Sequence, residues 1–193
     1  LRLDLKKVRL DVHHAMDMAI GTEKTSSIAT RRKAFAAINA GFFRLDTSEF
    51  AGDSVGVFIV DGRTYSEGVT ARTSLVIENG PSKTEFLIHK LQSKTDIRVG
   101  MQYFKDPITI SGIDRDRKNA EVILYGPEFG PSTKTVAAGH EVILRRCKRV
   151  KERRGFWFDR CSQMDVGRGS GNSTIPRDGF VISFAPDASP QWA

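Results

Sequence analysis

Ala34-Phe35-Ala36-Ala37-Ile38-Asn39-Ala40-Gly41-Phe42-Phe43-Arg44 decides how the chain is read. Residues 34–38 are a small apolar run with the length of a short buried strand. The run stops at Asn39-Ala40-Gly41, which sets a polar amide at the strand tip. Gly41 admits a positive φ or the close approach of a ligand. Phe42 and Phe43 supply ring surface, and Arg44 a fork of donors matched to carboxylate or phosphate. A plain strand end with a turn and two core aromatics would use the same residues without any ligand.

Upstream, residues 1–12 alternate apolar and polar in two phases, with Leu1, Leu3 and Leu5 followed by Val8, Leu10 and Val12. Period two predicts half-buried strand, and Lys6-Lys7 is the turn or bulge that changes the phase. His13 and His14 are neighbours and point to opposite faces of a strand, so they do not chelate one ion together. Thr25 or Ser26 can cap a helix over 27–33, with Arg31-Arg32-Lys33 in the last turn, where the helix dipole favours cations.

Downstream the signals are those of strands. The apolar run 55–60 ends in Asp61-Gly62, a hairpin dipeptide that sends 63–65 back antiparallel. Residues 72–77 and 84–89 flank Asn79-Gly80-Pro81 as a second hairpin. Strand character returns at 97–100, 107–113, 121–125, 133–136, 141–144, 156–158 and 179–184. The Gly-Arg-Gly-Ser-Gly-Asn run at 167–172 lacks the Lys-Ser/Thr of a phosphate-binding P-loop and precedes no helix. Many strands with two or three short helices, and no βαβ alternation, predict an α+β, strand-rich mixed sheet. No internal repeat or interdomain linker divides residues 1–193.

The composition, 39% hydrophobic and 27% charged, is that of a globular domain. No apolar run reaches the roughly 20 residues of a membrane-spanning helix. Net charge is +7, and seven of the ten residues 145–154 are basic. Such a run suits an anionic polymer or a solvated hairpin, but no nucleic-acid-binding module accompanies it, so nucleic acid is the weakest partner. Cys147 and Cys161, with Arg154-Gly155 midway, could be bridged across a hairpin or stand as two buried thiols. Without nearby histidines they make no zinc set, and the sequence names no cofactor or metal.

The opening stretch also has a family likeness. Ile38-Asn39-Ala40-Gly41-Phe42-Phe43 resembles the Asn-Gly-Gly-Phe-Phe signature of the phosphodiester glycosidases, the family of the uncovering enzyme that removes N-acetylglucosamine from a mannose phosphate. Further segments are similar in the same order: 25–29; Val60-Asp61-Gly62-Arg63; Gly112-Ile113-Asp114-Arg115-Asp116-Arg117 against Gly-Ile-Asn-x-x-Arg; 124–133; and Ile175-Pro176-Arg177-Asp178-Gly179. Two departures stand out. Asp114 replaces the usual Asn, and the family's later Asp-Gly-Gly-Gly-Ser motif is not in these residues, so the likeness is to the N-terminal part of the domain. A companion chain or a further C-terminal segment is then expected to pair with the sheet.

The resemblance implies an exported hydrolase that cleaves a sugar from a glycosyl phosphodiester. The reaction needs cations for the phosphate, a carboxylate for water or for the oxocarbenium-like transition state, and polar groups for the sugar hydroxyls. It points to Asn39, Asp61, Asp114 and Arg117 as catalytic residues, and to Gly41, Phe42, Arg44, Arg72 and Thr133 as substrate-binding ones. Local roles compete at each: an Asx turn for Asn39, turn duty for Asp61, a surface ion pair for Arg117, a strand hydroxyl for Thr133. The alternative is a non-catalytic module that binds anionic glycans or assembles with a partner, motivated by the missing motif and the basic run.

Overall fold

The computed structural model describes residues 2–68, 70–98, 106–136, 139–152, 157–168 and 171–188. The centres of two expected loops, Arg154-Gly155 and Gly169-Ser170, lie outside these residues, as do parts of the strands expected at 97–100 and 156–158.

Among the described residues, one helix, α1 (Thr25–Arg31), and two 3-10 turns (Ala15–Asp17 and Pro186–Ala188) accompany thirteen strands. These are β1 (Phe58–Val60), β2 (Arg63–Ser66), β3 (Arg72–Asn79), β4 (Thr84–Leu91), β5 (Asp96–Ile97), β6 (Ile108–Thr109), β7 (Gly112–Ile113), β8 (Val122–Tyr125), β9 (His140–Arg145), β10 (Lys148–Lys151), β11 (Trp157–Arg160), β12 (Gln163–Arg168) and β13 (Phe180–Phe184). The architecture is α+β with a mixed central sheet, as expected. That sheet has five strands in the order β12-β9-β13-β8-β7, and β7 is parallel to β8 while the other pairs are antiparallel.

The core lies on both faces of this sheet, because β13 is apolar at every position but Ser183. Val181 joins Ile123, Tyr125, Phe129 and Ile175 on one face. Ile182 and Phe184 join Ile110, Ile113 and Val142 on the other. Each fully buried side chain of this kind contributes roughly 1.5–3 kcal/mol.

Among the described residues, four two-stranded ribbons are separate from this sheet. The β1–β2 turn is Asp61-Gly62, with φ 49° and 72°, the left-handed pair that a two-residue hairpin loop requires. The β3–β4 hairpin runs in unbroken register from Arg72↔Leu91 to Asn79↔Thr84. Between β10 and β11, paired from Lys148↔Arg160 to Lys151↔Trp157, a Cys147–Cys161 disulfide closes the open end.

Three sequence expectations are corrected. Residues 34–38 are not a buried strand: this stretch is irregular and exposed, with Phe35 at 95% and Ile38 at 85% exposure. No strand edge lies beside them to accept their backbone bonds. The N-terminal alternation does not make strands either. That segment runs irregularly past the tip of the β3–β4 hairpin, where Thr84 N donates to Leu5 O at 2.8 Å and Asn79 Nδ2 to Leu10 O at 2.8 Å. Residues 133–136 form no strand, since Thr133 turns its hydroxyl inward to Glu141. Against that, β12 was not expected: its Met164, Val166 and Gly167 carry too weak an alternation to be read as a strand.

Candidate functional site

A cavity of about 160 Å³ opens where the chain after the quoted motif meets β2 and the start of β3. The motif shapes it through the backbone. Phe43 bridges to Ser54, Val55 N donates to Phe42 O at 2.8 Å, and Arg44 N donates to Asp53 O at 2.7 Å. This ladder puts Ser54 and Val55 in the cavity wall, opposite Ser66 and Glu67 from the end of β2. Ser66 Oγ donates to Ser54 O at 2.9 Å and ties the two sides together.

Two arginines line the cavity, Arg72 and Arg115. Arg115 is fully engaged. Its Nε donates to Glu67 Oε1 at 2.7 Å, Nη1 to Glu121 Oε2 at 2.8 Å and to Asp116 O at 2.9 Å, and Nη2 to Glu121 Oε1 and Ser111 O at 3.0 Å each. Burial alone would lower its pKa, but the bonds from Glu121 and Glu67 outweigh that and hold the guanidinium firmly charged. Glu67 is committed too, since its Oε2 accepts from Ile113 N at 2.9 Å. Arg72 differs: its guanidinium is exposed and makes no hydrogen bond or ion pair with any described residue. It is the cation of this cavity that has donors to offer.

Asp53 adjoins Ser54 of the wall. Burial, reinforced by the negative charge of Glu67, raises its pKa to about 6, against partial relief from Arg115 and Arg44. Its carboxylate makes no hydrogen bond or ion pair with described residues. A half-buried carboxyl with a raised pKa is suited chemically to exchange a proton near neutral pH. Its neighbour Gly52 holds the loop down. Gly52 has φ 92°, its missing Cβ would fall 2.0 Å from Gly21 O, and His14 Nε2 donates to its carbonyl at 2.9 Å.

The other sequence candidates are dispersed. Asn39 is exposed in irregular chain, and neither it nor Arg117 lines the cavity. Gly41 has φ 61° with open space around its Cβ position, and Phe42 is 81% exposed. Arg44 is paired with Asp46 and lies over the Phe50 ring at 5.8 Å. Asp61 takes its turn position and nothing more. Arg117 lies against the end of β13, where Nη1 donates to Ser183 Oγ at 2.7 Å and to Phe184 O at 3.0 Å.

Asp114 and Thr133 are interior. Asp114 is 3% exposed and accepts from Gly126 N at 2.6 Å; burial raises its pKa well above the usual carboxylate range, against partial relief from the Gly126 bond. Thr133, fully buried, donates to Glu141 Oε1 at 2.8 Å. Glu141, which no sequence signal singles out, also receives Thr135 Oγ1 and Ser183 Oγ at 2.8 Å and Ser173 N at 2.8 Å. Burial pushes its pKa up, but these bonds outweigh it and keep the carboxylate below its ordinary value. With Arg117 bonded to the same Ser183, this is a polar brace inside the sheet. Its carboxylate has no room for a ligand.

Among the described residues no cluster of three or more His, Cys, Asp or Glu is arranged to hold a metal ion, and no helix is long and apolar enough to cross a membrane.

No protein-family model and no curated protein matches the chain. Solved structures do. A hypothetical protein from Synechocystis aligns with 90% of this chain and 29% of its own at 22% identity, with a TM-score of 0.60. A candidate exported protein from Burkholderia pseudomallei aligns with 93% of this chain and 39% of its own at 15% identity, with a TM-score of 0.65. The chain therefore spans less than two-fifths of either structure, and at these identities the likeness is one of fold.

Proposed function

We propose that the chain is part of an extracytoplasmic hydrolase that cleaves a sugar from a glycosyl phosphodiester. The observation that carries this reading is the cavity: Arg72, whose guanidinium makes no hydrogen bond or ion pair with described residues, lines it, and Ser54 of its wall is next in sequence to Asp53, whose carboxyl is raised by burial to a pKa of about 6. Arg72 takes the phosphate. Asp53, ionised at neutral pH, accepts a proton from water as the water oxygen bonds to the anomeric carbon. The anomeric C–O bond breaks, and the phosphate leaves as a monoester. Phosphate is a good leaving group, so one carboxylate of raised pKa is enough for the proton transfer. The ordered motif resemblance supports the same chemistry, and the disulfide and the exported structural neighbour support a site outside the cytoplasm.

In this reading the exposed Phe35, Ile38 and Phe42 belong to a surface that further polypeptide covers, from the same chain or a companion, which is how Asn39 would come to face a sugar. The test is turnover of a small glycosyl phosphodiester by the intact protein. Asp53→Asn and Arg72→Ala are each expected to lower kcat/KM by about 100-fold or more. Wild-type turnover in both variants would remove this cavity from the reaction. Asn39→Ala tests the resemblance separately: it leaves stability within about 0.5 kcal/mol, and unchanged turnover takes Asn39 out of the site.

A further inference from the structure

We propose that the β10–β11 hairpin is a docking arm for a polymeric substrate, a glycan chain whose sugars are joined by phosphodiesters; this rests on the reading of the Arg72 cavity just given. The hairpin stands apart from the central sheet as its own two-stranded ribbon, closed by the Cys147–Cys161 disulfide. All four residues of β11 are exposed. Four described cations project from it: Lys148, Arg149, Lys151 and Arg160. None forms an ion pair with a described residue.

Asp159, opposite Arg149 in the register, is the ribbon's own anion and forms no ion pair with a described residue, so the cations still outnumber it four to one. Lys148 is directly opposite Arg160 in the register, and like charges across a strand pair destabilise it. On the other face, Arg149 and Lys151 lie 5.3 Å and 5.4 Å from the centroid of the Trp157 ring, which remains 53% exposed. A half-exposed indole flanked by two cations offers an apolar plane for a sugar ring and positive charge for the phosphate on either side of it. The disulfide favours an oxidising compartment, where an envelope or extracellular glycan is the accessible polyanion.

Continuity with the cavity makes the arm part of one path. Arg149 Nη2 donates to Gly62 O at 2.5 Å, so the arm rests on the turn that begins β2, and Ser66 at the end of β2 is in the cavity wall. At about 3.3 Å per residue, Gly62 to Ser66 is roughly 13 Å. A chain of sugar phosphates held on the arm can reach the cavity along that ribbon.

The experiment titrates the full chain with a fluorescently labelled soluble poly(glycosyl phosphodiester), with single-stranded DNA of matched charge and neutral dextran as comparisons. The double reversal K148E/R160E is expected to weaken polymer binding about tenfold or more at low salt, and added salt to weaken the wild type likewise. W157A should weaken the glycan polymer several-fold and leave small-diester turnover unchanged. Polymer affinity that neither variant alters overturns the arm. So does DNA binding as tight as the glycan's, which would make the hairpin a general polyanion surface. Charge-dependent glycan binding by a protein that hydrolyses no small diester keeps the arm and removes the hydrolase reading.

Discussion

Arg115 and Glu121 meet at two points, Nη1 to Oε2 at 2.8 Å and Nη2 to Oε1 at 3.0 Å, while the Nε of the same guanidinium holds Glu67. One arginine thus fastens the end of β2 to the β7–β8 edge of the central sheet, and the cavity exists because those two pieces are fastened. Lysine cannot reproduce the fork. Arg115→Lys is expected to cost about 3 kcal/mol, because it leaves two largely buried carboxylates short of donors. Urea unfolding measures it, and a loss below about 0.5 kcal/mol would mean that the network is ornamental.

The proton on Asp53 gives a dependence on pH. In the folded chain the carboxyl keeps its proton up to about pH 6, whereas its ordinary value is 3.8. Its contribution to stability is therefore complete below 3.8 and lost as the pH rises through 6. Asp53→Asn should be more stable than the parent at pH 7 by about 1 kcal/mol, a figure reduced from the full shift because the group is partly in solvent, and no more stable at pH 3.5. If the stabilities of the two proteins run parallel across that range, Asp53 titrates normally.

Gly52→Ala is expected to loosen the same loop. A methyl group there collides with the Gly21 backbone, and the positive φ penalises any side chain. The expected loss is about 2 kcal/mol, with the half-buried environment of Asp53 opened to water. Thermal unfolding and the Asp53 titration should change together. An alanine variant with unaltered stability would show that the loop is not pressed against residue 21.

Cys147 and Cys161 enclose a loop with a sequence separation of 14, for which chain entropy assigns the bridge about 3 kcal/mol. The ribbon it closes packs little against the sheet, so reduction should disorder the arm and spare the core. Hydrogen exchange before and after reduction would show this as faster exchange in β10 and β11, with β8, β9 and β13 unchanged. Exchange accelerating everywhere would make the disulfide a support of the whole domain.

What the sequence determined by itself was local. Asp61-Gly62 closed its hairpin because only a left-handed pair fits a two-residue turn, the β3–β4 alternation paired with its own neighbour, and 180–184 was apolar enough to be central. The two hairpins need only contacts close in sequence, while β13 takes its place through pairing with the more distant β8 and β9. Residues 34–38 and the N-terminal alternation carried signals as good, yet formed no strand, because a strand also needs an edge to bond to, and edges belong to the assembled sheet. The same holds at the site. The family resemblance points to Arg72, but nothing in the order of residues shows that Arg115 is committed to its neighbours or distinguishes Asp53 from Asp46. Tertiary structure did so, by filling every donor of Arg115 while leaving Arg72 unpaired, and by drying Asp53 beside Glu67 while Asp46 kept its arginine and its water. Solvation and charge at a point in space depend on chain segments far apart in sequence, and no local pattern encodes them.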